Sequence, residues 1–261
     1  MTAIRLRPNK TDDVIQESRG DRIFSTLNYI FLSIILIVIL YPLVYTVSAS
    51  FSAPTAVITG KVTLFPVDFT LIGYQKIFEH PTLVRGMLNS LFYTVVGSGL
   101  SVVLTILAAY PLTRKDLPGK RFLTILFFFP MLFSGGLIPF YLVVRDVGLV
   151  NTPWAVIIPT ALSVWNLIIT ISFLRASIPE ELYEAAQIDG CSDFGFLLKV
   201  VLPLAKALIA VLFLVYAVAQ WNQYFISLIF QTNPDLAPLQ IVLRNILILN
   251  KIDLGMMADV R

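Results

Sequence analysis

The sequence predicts an all-α polytopic membrane protein. Of its 261 residues, 57% are hydrophobic and 13% are charged, whereas soluble domains carry roughly 25% charged residues. Disordered chains are excluded as well, because they are poor in apolar residues. Five stretches without Asp or Glu are long enough to cross about 30 Å of hydrocarbon as helices. These predicted spans are residues 27–50, 88–112, 122–144, 154–174 and 204–230.

The distribution of basic residues predicts the orientation of these spans. Basic residues precede the first span and fill the short loop between the second and third, so both regions are expected to face the cytoplasm. They are Arg5, Arg7, Lys10, Arg19, Arg22, Arg114, Lys115, Lys120 and Arg121. Alternation then places residues 51–87 and 145–153 outside, 175–203 inside, and 231–261 outside. The first span is too long for a cleaved signal sequence and is expected to be a retained anchor.

The regions outside the spans complete the predicted domain organisation. Residues 1–26 form a cytoplasmic tail, and residues 27–261 form the membrane domain. Within the outer tail, Ile241 to Leu249 is apolar but interrupted by Arg244 and Asn245, which favours a half-buried helix over a sixth span. Frequent prolines in and near the spans predict bent helices packed around a cavity.

Several kinds of chemistry are absent from the sequence. The single Cys191 and the single His80 give no metal-ligand pattern. Spans without carboxylates lack the ionisable groups that proton or sodium coupling needs. The Gly119-Lys120 pair is followed by Arg121 and does not form a phosphate-binding loop. We therefore expect a non-enzymatic chain that binds no cofactor itself, with any nucleotide held by another chain.

The inner loop, residues 175–203, is the most patterned non-spanning region. Ser177 and Glu180 predict a capping box, and Gly190 suits the left-handed residue that ends a helix. A second helix can begin from Ser192 or Asp193 and run to Pro203. The resulting helix-turn-helix fits two interpretations equally: a docking surface for another protein, or an amphipathic helix that lies on lipid.

A family resemblance favours the docking surface. Glu184-Ala185-Ala186, then Gly190, then Val200-x-Leu202-Pro203 is similar to the EAA loop of permease subunits in binding-protein-dependent ABC importers, with Val200 at the position of the usual Ile. Further motifs resemble the carbohydrate branch, in particular the second permease of the maltose importer. These are Asn89-Ser90, the run from Ala109 to Arg114, and Trp221-Asn222. Ser134-Gly135-Gly136-Leu137-Ile138-Pro139-x-Tyr141-Leu142, followed by Gly148-Leu149-x-Asn151-Thr152, resembles the subgroup that imports oligosaccharides and polysaccharide fragments. The resemblance covers residues 27–258.

The resemblance implies a fold, partners and a docking site. The fold is the transmembrane domain of a type I ABC importer, with five spans visible and a sixth expected after Arg261. The partners are a homologous second permease, an ABC ATPase dimer that holds ATP and magnesium, an extracytoplasmic solute-binding protein, an oligosaccharide and membrane lipid, without nucleic acid. The location is the bacterial inner membrane. The residues implied in ATPase docking are Glu184, Ala185, Ala186, Gly190, Leu202 and Pro203.

A sugar pathway needs hydrogen-bonding side chains and flat aromatic faces within an apolar bundle. The candidates are Asn89, Tyr93, Trp165, Asn166, Gln220, Trp221, Asn222 and Tyr224. Because consecutive helical residues point in different directions, only two or three of residues 220–224 can face one cavity. Each candidate has a structural alternative, which is a hydrogen bond between helices.

Two other functions stay open at this point. The first is an ABC permease for a non-sugar solute, since the EAA loop is shared across such permeases. The second is a passive channel or scaffold without energy coupling. For a sugar permease, both neutral maltodextrin-like chains and acidic uronate chains such as alginate remain candidate substrates.

Overall fold

The computed structural model describes residues 18–258, with side chains placed as far as residue 248. Arg5, Arg7 and Lys10 of the predicted tail lie outside the described residues, as do residues 259–261. The described part contains no β-strand, only one isolated bridge between Ser52 and Phe69. It divides into two compact units between Ile77 and Phe78.

The helices follow one another in this order: α1 Arg19–Ser50, α2 Pro54–Ile58, α3 Ile72–Glu79, α4 Pro81–Thr113, α5 Lys120–Leu132, α6 Leu137–Asp146, α7 Trp154–Ile157, α8 Val164–Ser177, α9 Glu180–Ile188, α10 Asp193–Phe196, α11 Leu202–Leu204, α12 Lys206–Trp221, α13 Phe225–Phe230 and α14 Leu239–Ala258. A 3-10 turn, Ile158–Thr160, extends α7, and a π-helical turn, Leu197–Val201, joins α10 to α11. A further 3-10 turn, Pro234–Leu236, precedes α14.

The first unit is built on α1, which is long and apolar enough to cross a membrane. Its 32 residues span about 48 Å at 1.5 Å per residue. A capping box begins the helix: Ser18 Oγ accepts from the Asp21 amide at 3.2 Å, and the Asp21 carboxylate accepts from the Ser18 amide at 3.1 Å. Pro42 is accommodated without a break in the helix. This helix confirms that the first predicted span is helical.

The second unit is organised around α4, which packs against α12, α8 and α14. The buried face of α4 is rich in small residues, including Gly86, Ser90, Gly97 and Ser101. Small side chains let helix backbones approach closely, which is the main source of helix association in lipid. The close contact is visible at Gly97, where an added Cβ would lie 3.0 Å from the Gln220 side chain.

The predicted span 154–174 is bent, and the predicted span 204–230 begins at a sharp bend. The segment Trp154–Thr160 meets α8 at 50°, next to Pro159, and Asp193–Leu204 meets α12 at 81°, next to Pro203. A helix segment nearly perpendicular to a span suits a position along the membrane surface. The expectation that prolines produce bent helices is confirmed at these two places.

The predicted continuous spans 122–144 and 204–230 are both wrong in detail. The first is interrupted after α5, where Gly136 has φ +83°, so that α5 has 13 residues and α6 has 10. Neither helix alone reaches the length of about 20 residues that a span needs. The second ends at Trp221, and α13 begins separately at Phe225. The breaks fall at short runs of small or polar residues, Ser134-Gly135-Gly136 and Asn222-Gln223-Tyr224, which are too short to interrupt the hydropathy of a span.

The helix predicted in the outer tail is present and longer than expected, since α14 begins at Leu239 and ends at Ala258. Ile241 and Val242 are buried, whereas Leu243 and Leu247 are exposed. The prediction of a half-buried helix is therefore confirmed for the side chains that the structure describes.

The helix-turn-helix predicted within the inner loop is confirmed by α9 and α10. The predicted capping box is wrong, because Ser177 is the last residue of α8 and Pro179 is the N-cap of α9 without a side-chain hydrogen bond. The second helix begins as expected, with Ser192 Oγ accepting from the Gly195 amide at 3.2 Å.

The contact between α4 and α14 predicts opposite effects for two glycine substitutions. In Gly86→Ala, the new Cβ would lie 2.9 Å from Val242 Cγ2 and 3.3 Å from Leu239 Cα. Because backbone cannot move aside easily, we expect a loss of about 1–3 kcal/mol of stability. The matched control is Gly99→Ala, whose Cβ meets nothing within 4 Å and gains up to about 1 kcal/mol of helix propensity. Thermal unfolding in detergent measures both, and equal shifts would contradict the packing argument.

Candidate functional site

The inner faces of α9 and α10 belong to the same apolar cluster as α4, α8 and α12. Tyr183 of α9 and Phe196 of α10 are buried, with their rings edge to face at 5.4 Å between centroids. They share this cluster with Tyr110 near the end of α4 and Leu174 near the end of α8. The loop segment, residues 180–204, is therefore anchored to the ends of the spanning helices through a common core.

A polar network around the Tyr183 hydroxyl connects the two loop helices. This hydroxyl donates to Asp193 Oδ1 at 2.5 Å and accepts from Gln187 Nε2 at 2.7 Å. The bond to the Asp193 carboxylate, together with burial, raises the pKa of Tyr183. Tyr110 donates from its own hydroxyl to the Asp193 backbone carbonyl at 3.1 Å. The Arg114 guanidinium lies 3.1 Å above the centre of the Tyr183 ring, a cation–π contact that adds to the anchoring.

Gly190 forms the turn between the two loop helices in the way the sequence predicts. Its φ of +73° lies in the left-handed region, where a side chain would be strained. The Cys191 amide donates to the Ala186 carbonyl at 2.8 Å and the Gly190 amide to the Gln187 carbonyl at 3.0 Å. These bonds satisfy carbonyls at the end of α9, as in a left-handed helix cap.

The outer face of α9 is exposed and carries both charge and apolar area. Glu184, Ala185 and Ile188 lie on this face, and 87% of Ile188 is accessible. Phe194 of α10 is exposed to 62% beyond the turn. Exposed apolar side chains beside an exposed charge are typical of surfaces that another molecule covers, and docking of a partner here stays a prediction. Glu184 makes no ion pair within the described part of the chain, so its carboxylate is available to such a molecule.

The other predicted docking residues lie on different faces of the loop segment. Ala186 and Leu202 are partly buried and pack against the apolar cluster, whereas Pro203 and Gly190 are exposed. The two adjacent alanines therefore point in different directions, with Ala185 outward and Ala186 inward. Ala186 and Leu202 are placed to position the loop segment, and a direct contact of either with a partner stays a prediction.

Sequence reasoning missed several residues of this surface and its support. They are Arg114, Tyr183, Ile188, Asp193 and Phe194. The sequence held a signal for one of them, since Ile188 follows Glu184 by four residues and must share its helix face. The contacts of Arg114 and Asp193 join residues far apart in the chain, and helical spacing gives no indication of them.

Three of the predicted pathway residues use their polar groups to hold the structure together. Asn89 Nδ2 donates to the carbonyls of Asp235 at 2.8 Å and Ala237 at 3.1 Å. The Tyr93 hydroxyl donates to the Leu236 carbonyl at 2.8 Å. Gln220 Nε2 donates to Thr160 Oγ1 at 3.1 Å. For these side chains the structural alternative, hydrogen bonding between elements, accounts for the observed contacts.

The remaining pathway candidates differ in exposure. Trp165 is exposed to 61%, and Trp221 and Asn222 are also exposed. Asn166 is buried and Tyr224 half-buried. Trp221 and Asn222 adjoin the buried Gln220 at the end of α12. Only part of the cluster at residues 220–224 therefore presents accessible side chains, and contact of any of them with a sugar stays a prediction.

Comparison with known proteins gives consistent matches. Residues 101–258 match the family described as binding-protein-dependent transport system inner membrane component. The polygalacturonan/rhamnogalacturonan transport system permease protein YtcP of Bacillus subtilis is 40% identical over 239 residues, covering 92% of this chain and 82% of the relative. Protein LplC of the same organism is 39% identical over 236 residues, covering 90% and 80%.

A solved structure also matches in fold and sequence. It is a chain from the crystal structure of a bacterial ABC transporter involved in the import of the acidic polysaccharide alginate. The TM-score is 0.84 at 34% identity, and the match covers 88% of this chain and 82% of that chain.

The Tyr183 network predicts that Tyr183→Phe loosens the loop segment without unfolding the protein. The variant leaves the Asp193 carboxylate and the Gln187 amide without their shared partner, and hydrogen bonds to charged groups contribute roughly 1.5–3 kcal/mol. We expect faster amide hydrogen exchange in residues 180–204 and unchanged exchange in the middle of α4. The control is Tyr29→Phe, which changes an exposed tyrosine on α1. Unchanged exchange in residues 180–204 would contradict the anchoring role.

Proposed function

The chain belongs to the family of binding-protein-dependent transport system inner membrane components, and we propose that it is the permease subunit that carries oligosaccharides through an ATP-driven importer. Proteins of this family are non-catalytic components of transport systems. The observation that carries the proposal is the loop segment: its outer face is exposed and partly apolar, while its inner face is part of the core of the spanning helices.

This arrangement supports a mechanism for coupling. An ATPase that docks on Glu184, Ala185 and Ile188 would push on a segment whose inner residues are packed in the core. Because packed cores move as units rather than deform continuously, displacement of the loop segment would rotate α4, α8 and α12 together. The 81° bend before α12 turns a movement along the membrane surface into a tilt of that helix. Such rigid-body movement is a common basis of alternating access.

The proposed complex contains partners that the family implies. Two ATPase subunits would hold ATP and magnesium, a second homologous permease would complete the pathway, and an external binding protein would deliver the sugar.

We propose that the N-terminus lies on the cytoplasmic side of the bacterial inner membrane. The basic residues Arg114, Lys115 and Lys120, close to the loop segment in space, support this orientation because cytoplasmic loops are rich in Lys and Arg.

For the cargo we propose acidic oligosaccharides. The similarity to a permease for polygalacturonan and rhamnogalacturonan and to an importer of alginate supports this class. Spans without Asp or Glu would not repel uronate groups. Within the pathway we assign sugar contact to the exposed Trp165, Trp221 and Asn222. Asn222 Nδ2 donates only to the Val218 carbonyl of the preceding helical turn, at 2.8 Å, whereas Asn89, Tyr93 and Gln220 bond to other elements of the chain.

The cargo assignment predicts selective uptake. Membrane vesicles containing the whole importer, with its binding protein, are expected to take up labelled oligogalacturonides in preference to maltodextrins when ATP is supplied inside. Trp221→Ala should reduce uptake several-fold while the ATPase remains bound, because an aromatic face for the sugar ring is lost. Preferential uptake of maltodextrins would overturn the acidic cargo but keep the assignment to sugars. Uptake of neither oligosaccharide would overturn both assignments.

The docking assignment predicts that Ile188→Asp prevents recovery of the ATPase with the permease. A charge on this exposed apolar residue would have to be desolvated in a packed interface, which costs several kcal/mol. The matched control is Ile58→Asp, since Ile58 is exposed to 84% and lies in a region predicted to face outside. Affinity purification in mild detergent, followed by mass spectrometry, measures the outcome. Equal ATPase recovery with both variants would argue against the docking surface.

A further inference from the structure

A basic cavity of about 460 Å³ lies beside the loop segment. Its walls come from the ends of α4 and α8, the loop after α4, and the beginnings of α5 and α9. Four of its lining side chains are basic and one is acidic: Arg114, Lys115, Lys120, Arg175 and Glu180. The lining therefore has an excess of three positive charges, which an anion could balance.

The basic side chains have donors left over after their contacts within the chain. Lys120 Nζ donates to the Arg114 carbonyl, and Arg175 donates from Nη2 to the Leu112 carbonyl at 3.1 Å. An ammonium has three donors and a guanidinium five, so these bonds use only some of them. Arg114 Nε is buried and has no hydrogen-bond partner within the described part of the chain. The nearest carboxylate oxygen, on Asp116, is 3.8 Å away.

The electrostatic environment of the cavity favours an anion. Burial, together with the nearby positive charges of Arg175 and Arg114, lowers the pKa of Lys120. The beginning of α5 adds to the positive potential, since Gly119 caps this helix without a side-chain hydrogen bond. A helix N-terminus carries a partial positive charge that attracts phosphate groups.

We propose that this cavity binds the phosphate of an anionic phospholipid headgroup. The cavity lies where α4 ends and α5 begins, which is the predicted cytoplasmic boundary of the membrane. The apolar residues Phe122, Ile125 and Leu126 follow on α5 and are exposed, so that acyl chains could lie against them. Basic pockets on the cytoplasmic side of membrane helices are suited to anionic headgroups. Binding at this cavity does not rest on the proposed transport function.

The proposal is tested by native mass spectrometry of the full chain in neutral detergent with phosphatidylglycerol or phosphatidylcholine added. We expect phosphatidylglycerol to bind more tightly than phosphatidylcholine. Lys120→Gln should weaken phosphatidylglycerol binding about tenfold, since a charge-assisted hydrogen bond to phosphate is lost. The matched control is Arg121→Gln, which neutralises the neighbouring exposed residue outside the cavity lining and should change binding little.

A second variant separates loss of binding from loss of folding. Glu180→Gln removes the one carboxylate of the cavity lining and its ion pair with Lys115, so phosphatidylglycerol binding should become stronger. If Lys120→Gln does not fold, an increase in Glu180→Gln alone supports the proposal. Equal binding of both lipids, or an equal effect of Arg121→Gln and Lys120→Gln, would overturn it. Displacement of the lipid by millimolar inorganic phosphate would assign the cavity to a soluble anion instead.

Discussion

The packing of Tyr183 and Phe196 against the ends of the spanning helices determines what the loop segment can do. Both side chains lie in the same apolar cluster as residues of α4, α8 and α12. The Arg114 guanidinium lies over the Tyr183 ring. Such a contact is not expected of an amphipathic helix that only lies on lipid. Under the proposed docking, displacement of the outer face by an ATPase would reach the spanning helices directly, because the inner face is packed in their core.

The polar side chains fall into two groups: some hold the helices together, and others remain available to a ligand. Inside the second unit, α4 is tied to the segment before α14 by Asn89 and Tyr93, and α12 is tied to the turn after α7 by Gln220. In lipid, interhelical hydrogen bonds of this kind contribute only about 0.6 kcal/mol on average, so they specify the arrangement more than they stabilise it. A side chain that is already bonded to another element in this way is less suited to contact a passing sugar, and the proposed assignment of pathway residues therefore uses exposure as well as residue type.

The sequence alone predicted those features of the fold that depend on local chemistry. Gly190 could be placed in a left-handed turn, and Ser192 before a helix, because these preferences belong to residues a few positions apart. The break after α5 is not indicated by hydropathy, since only the short run Ser134-Gly135-Gly136 interrupts a stretch that is otherwise apolar. The predicted cap at Ser177 does not form, because α8 continues through this serine and Pro179 takes the N-cap position of α9. The contacts of Asn89 and Tyr93 join residues more than 140 positions apart, and only the folded chain brings them together.

The beginning of α9 connects the two surfaces that we assign to ligands. Glu180 lines the basic cavity and is ion-paired with Lys115, and four residues later the same helix presents Glu184 on its outer face. An anion in the cavity would compete with Glu180 for the basic groups, and a protein docked on α9 would shift Glu180 relative to them. If binding at one surface changes the position of α9, it must change affinity at the other by the same factor, because coupling free energies are reciprocal. Anionic lipid and a docked ATPase would then influence each other through a single short helix, without a separate regulatory domain.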